Sequence, residues 1–265
     1  MNFNRFKKVV ARDFNSTYRL FGLSLLIMMC IPVFIWLFGL AFKVPNIDSL
    51  ARLGIMQFVV VLAAAISSMK IYKNCNIPGR GNYFAMMPAS LGEKFASMMF
   101  YCFIVSPLAV FVGWFVVDSF LTLLPFGPFN NYIWHQPEWV NGLEDVPDVT
   151  SFYTTHIFGL DAFCSTMIKA ACTASIFMFA NTIFKKNKFI KTVLWIMLIS
   201  FVASIVAVPI ITHIHWNVQW FVDYFQNLTA EKARHLVFFG SLLFNLLVIS
   251  LFSFFTYRRL KKMQY

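Results

Sequence analysis

The chain has 265 residues, 59% of them hydrophobic and only 12% charged, with 33 phenylalanines, a balance far outside globular composition. It reads as an all-α integral membrane protein. A net charge of +11 would suit a nucleic-acid binder, but the basic residues stand in short groups beside apolar runs with no RNA- or DNA-binding motif, so no nucleic-acid partner is expected.

Residues 1–19 carry Phe3, Phe6, Val10, Phe14 and Tyr18 at helical spacing among Arg and Lys. That pattern suits a cytosolic amphipathic helix lying in the membrane interface, although a basic leader that merely orients the first span would share its charge. No small-residue cleavage pattern follows, and the first span is expected to stay as an anchor. Hydropathy then places a single six-span domain over 20–262, with spans near 20–42, 53–69, 95–117, 162–184, 192–214 and 236–257. Pro32 and Pro107 predict kinks in spans one and three. Ala63, Ala64, Ala65, Ser67 and Ser68 predict that span two packs closely on another helix.

Seventeen of the twenty-two basic residues fall on one side of these spans: before span one, between two and three, between four and five, and after six. No Lys or Arg occurs between Phe95 and Ile168, an interval that holds Asp118, Glu138, Glu144, Asp145, Asp148 and Asp161. The positive-inside rule puts both termini in the cytosol of a bacterial cytoplasmic (inner) membrane protein. The loop over 70–94 is then cytosolic, and the aromatic, proline-broken loop over 118–161 is a lid, a recognition surface or an interfacial belt on the outside.

Few polar residues interrupt the spans. Lys169 stands about two turns inside span four, where it either snorkels outward or lines a polar path. Gln57, Asn181 and Asn245, with Asp161 at the mouth, are the other candidates for a substrate path, and the three amides equally suit interhelical hydrogen bonding. Five histidines lie toward the outer face, but His213-Ile214-His215 lacks the i, i+4 spacing of a helical metal pair, and no metal site is expected. Five cysteines without CxxC spacing argue for neither disulfide nor zinc. No cofactor is implied. Catalytic motifs are missing and no Walker A sequence occurs, so the chain is read as a non-enzyme whose ATP, if used, is bound by another chain.

The most informative segment is MPASLGEKF, residues 87–95. Ser90 and Glu93 have the spacing of a capping box, which predicts a helix beginning at Leu91, and Pro88 sharpens the turn before it. With an N-terminal amphipathic helix, six spans and this short capped helix between spans two and three, the chain resembles the permease subunits of type-two ABC transporters. The segment looks like their Leu-Pro-(small)-Ser pattern, and like the L-P-A-S-x-x-E-K-F form of Bacteroidetes membrane proteins. The resemblance implies that Pro88, Ala89, Ser90, Glu93 and Lys94 form the coupling helix that receives a separate nucleotide-binding ATPase subunit. It also implies a homodimer or a pair with a paralogous permease in the lipid bilayer, exporting a peptide, lipid or drug-like molecule. Such permeases usually elaborate the outer connection between spans five and six, whereas here the larger one joins three and four. The alternative function is a non-transporting accessory or immunity protein that binds a partner through its outer loop.

Overall fold

The computed structural model describes residues 3–44, 46–72, 89–134, 160–215 and 230–262. These are mostly helical, with no strand among the described residues: α1 (Phe3–Met29), α2 (Ile31–Ala41), α3 (Ser49–Ile71), α4 (Leu91–Met99), a π-helical turn (Phe100–Val105), α5 (Ser106–Thr122), α6 (Leu160–Ile183), α7 (Lys188–His215) and α8 (Ala230–Lys262). Among the described residues, six stretches are long and apolar enough to cross a bilayer: Phe21–Ala41, Ser49–Ile71, Leu91–Thr122, Ala162–Ile183, Lys188–Val206 and Phe238–Lys262. Six such crossings would leave both termini on one side, called the terminal side, with the chain turning between α2 and α3 on the far side.

The basic leader and span one share a helix. α1 runs without a break through the boundary at residue 19, so the amphipathic stretch continues directly into the membrane. The predicted kink at Pro32 is present: proline cannot donate to the preceding turn, and the helix stops at Met29 and restarts at Ile31, with Val33 N–H bonding Cys30 O at 3.0 Å.

α3 is the centre of the bundle and packs most extensively on α6. The small residues predicted to allow this are buried at that seam, where Ala63, Ala64 and Ser67 share a core with Ala170, Ala174 and Met178. Polar bonds cross the same seam: Ser68 Oγ donates to Ala174 O at 3.3 Å and Asn181 Nδ2 to Ser68 O at 3.0 Å. α8 lies against α6 through Phe179, whose ring stands 5.5 Å from that of Phe252, and through Arg259 Nε donating to Thr182 O at 3.1 Å. α7 starts from a tight turn at Asn187, whose φ of 50° is left-handed and easily taken by asparagine.

Span three is one continuous helix of 32 residues. At about 48 Å it exceeds a hydrocarbon core of roughly 30 Å. Its buried positions recur every fourth residue: Lys94, Met98, Cys102, Ser106, Val110, Trp114 and Asp118. A four-residue repeat on an ideal α-helix drifts about 40° round the axis per step. The π turn adds one residue to the local winding and takes back about 100° of that drift. Pro107 follows immediately, and Ser106 Oγ donates across to Ala63 O at 3.2 Å, fixing the distorted turn against α3.

Candidate functional site: the capped start of span three

The predicted helix start is present in full. Ser90 is extended (φ −63°, ψ 152°), its Oγ accepts from Glu93 N–H at 3.3 Å, and Glu93 Oε2 accepts from Ser90 N–H at 3.0 Å. The reciprocal pair satisfies two backbone donors that a bare helix end would leave open, worth about 1 kcal/mol. Pro88 lies outside the described residues, and Ala89 is half-buried beside the cap.

Glu93 and Lys94, which the resemblance assigns to contact with an ATPase, face inward instead, at 3% and 1% exposure. Their cover comes from neighbouring helices. Asp13 on α1 accepts from Ser97 Oγ at 2.8 Å and from Tyr72 Oη, beyond the end of α3, at 3.2 Å. Tyr101 Oη donates to Val10 O at 2.7 Å, and the rings of Phe6 and Phe100 meet edge to face at 6.4 Å. Burial pushes the Asp13 carboxyl above its ordinary range, while the bonds from Ser97 and Tyr72 and the nearby Arg12 charge pull it back. Three segments, α1, the end of α3 and α4, are thus tied through one carboxylate. The water-facing surface of the helix start consists of Ser90 and Gly92.

The residues proposed for a substrate path do not converge. Gln57 is half-buried and lines a cavity of about 60 Å³ with Thr166, Phe111, Phe115, Phe163 and Trp134, room for a few waters and too small for an amphiphile. Lys169 is exposed on the outer surface of α6, in keeping with snorkelling rather than a lined path. Asn181 is buried at the opposite end of α6 and accepts from Lys188 Nζ at 2.6 Å, tying α6 to α7. Asn245 bonds within its own helix, donating to Ser241 O at 2.7 Å. The Asp161 side chain, like residues 135–159 with His135 and His156, lies outside what is described.

The sequence reading missed the strongest polar contact. Arg52, near the start of α3, donates through Nη1 to Asp118 Oδ1 and Oδ2 at 2.9 and 2.8 Å, and both side chains are 1% exposed. Its Nη2 donates to Asn131 O, and its guanidinium lies 4.3 Å from the centre of the Phe129 ring. Beside this pair Gly39 and Gly127 let the segment after α5 settle on α2: a Cβ at Gly39 would come within 2.6 Å of Pro128, and one at Gly127 would strike the Trp36 ring. Ile47 N–H closes the same corner on Pro128 O at 2.9 Å. The far ends of spans one, two and three are therefore pinned together. The signal available in the sequence was a lone Arg and a lone Asp, each one turn inside the far end of its own apolar helix, where neither charge is tolerated without a partner.

Compared with known protein families, with curated proteins and with solved structures, the chain gives no match.

Proposed function

We propose that this multi-pass membrane protein is the permease subunit of an ATP-driven exporter, set in a bacterial cytoplasmic membrane with both termini cytosolic. It works with a second copy or a paralogous permease, and a separate ATPase chain docks against the helix start over 89–92. The observation that carries the reading is the capped start at Ser90 of a helix that continues without interruption to Thr122. A push on that start is received by a stiff element rather than a loop, because Asp13, Tyr72, Ser97 and Tyr101 brace it. Apolar spans with few polar landmarks suit an amphiphilic cargo.

Gly92 is the position at which to test docking. It is exposed, and a Cβ there would meet nothing within 4 Å, so Gly92→Trp adds bulk to the water-facing side without disturbing the bundle. Reversing Glu93 or Lys94 would instead bury a wrong charge and report on folding. An ATPase that co-purifies with the wild-type protein in mild detergent should be lost from the Gly92→Trp variant at unchanged melting temperature. Recovery of no ATPase with the wild-type protein, or equal recovery with the variant, sinks the proposal.

A further inference from the structure

At the terminal side of the membrane, α1, α3 and the beginning of α7 diverge and leave a groove of about 380 Å³. Its walls are Ile27, Met28, Ile66, Met69 and Phe189, and among the described residues its polar members are Lys70 and Ser24. Lys70 stands in the last turn of α3, and Ser24 one turn inside the apolar stretch of α1, where the ammonium donates to the Ser24 hydroxyl. One helical turn deeper come Met28 on α1 and Ile66 on α3. The groove is polar at headgroup depth and apolar toward the bilayer centre, and its single charge is positive.

That order of chemistry is the order along a phospholipid. We infer that the groove holds one anionic phospholipid of the terminal-side leaflet, its phosphate on Lys70 Nζ beside Ser24 and an acyl chain along Met28, Ile66 and Phe189. The ammonium carries three donors, of which one goes to Ser24, enough to hold a phosphate as well. Among the described residues no carboxylate lines the groove to repel it. The volume falls in the range of small-molecule sites, and a free phosphate would leave its apolar length empty. The site is independent of the exporter reading, because it needs neither an ATPase nor a transport cycle.

The test is native mass spectrometry of the full chain in mild detergent, supplied with phosphatidylglycerol or with phosphatidylcholine of the same acyl chains. The expected result is one phosphatidylglycerol retained per chain, with phosphatidylcholine about fivefold weaker, the discrimination one interfacial lysine supplies. Lys70→Gln should reduce phosphatidylglycerol to the phosphatidylcholine level, and Lys70→Arg should restore it. Ile27→Trp, made at an exposed wall position, fills the groove without touching the cation and should weaken both lipids. Equal retention of the two lipids by the wild-type chain would overturn the inference. So would Lys261→Gln, distant in sequence at the end of α8, having the same effect as Lys70→Gln, since the binding would then be general surface attraction. Displacement of the lipid by millimolar inorganic phosphate would reduce the site to a free-anion site and overturn it as well.

Discussion

α3 and α7 are comparably apolar, yet half of the most apolar stretch of α3 is buried inside the chain and almost none of that of α7 is. α8 is also little covered over its apolar stretch, yet it lies along α6 nearly as extensively as α3 does, with Phe252 against Phe179 and Arg259 on Thr182 O. Lipid tails are as apolar as leucine, so hydrophobicity does not select which helices associate; close approach and interhelical hydrogen bonds do. α3 and α6 meet through alanine and serine, whereas α7 presents Leu194, Trp195, Leu198 and Phe201 outward. The molecule therefore has a locked part, spans one to four with span six laid along span four, and a loosely held span five.

The locked part should break hardest at Asp118. Asp118→Ala leaves Arg52 buried without its counter-charge and should cost about 3–5 kcal/mol, seen as loss of a monodisperse peak or a collapsed melting temperature in detergent. The double variant Arg52→Met with Asp118→Leu should recover most of that loss, and a single variant as stable as wild type would remove the ion pair from the account. The seam comes next. Ala174→Leu should cost about 1–3 kcal/mol by overpacking α6 on α3, whereas Leu198→Ala on α7 should stay within about 0.5 kcal/mol. Equal effects at the two positions would erase the distinction between the parts.

Asp13 gives the smallest and most specific effect. Burial raises its folded-state pKa above the ordinary 3.8, so the folded protein holds the proton more tightly than the unfolded chain does. Its contribution to stability is complete below about pH 4 and is lost as pH rises through the raised value. Asp13→Asn keeps an acceptor for Ser97 and Tyr72 and stays neutral, so it should melt a few degrees higher at pH 7 and show a flatter melting profile from pH 4 to 7. A lower melting temperature at pH 7 would mean that the carboxylate, paired with Arg12, is the form the fold requires.

Much of the architecture is legible in the residues. Six spans, the helix start at Leu91, the break at Pro32 and the close packing of span two follow from hydropathy, capping chemistry, the missing proline N–H and small-residue content. What escaped were pairings between distant segments. Span two was expected to start at Leu53 and span three to end at Val117, so each boundary stopped one residue short of the charge that matters, Arg52 and Asp118. Hydropathy assigns a charge at a span end to water and has no means of finding its partner across the bundle. The inward orientation of Glu93 and Lys94 was hidden for a related reason: an isolated capping box is a surface feature, and only the packing of α1 covers it. The five polar candidates for a path, Gln57, Asp161, Lys169, Asn181 and Asn245, were picked by their depth along the spans, and depth along a helix does not say which way a side chain turns.

The π turn at Phe100–Val105 carries a length constraint across the membrane. It acts as one surplus residue that keeps the two halves of span three in phase, the Asp13-facing half on the terminal side and the Arg52-facing half on the far side. Deleting a single residue there would relax the turn to plain α-helix and swing Asp118 about 100° away from Arg52. This span should therefore tolerate substitution far better than a change of length, and relatives of this chain, however diverged in sequence, should keep a fixed count of residues between the serine that caps the helix and the aspartate that closes the far side.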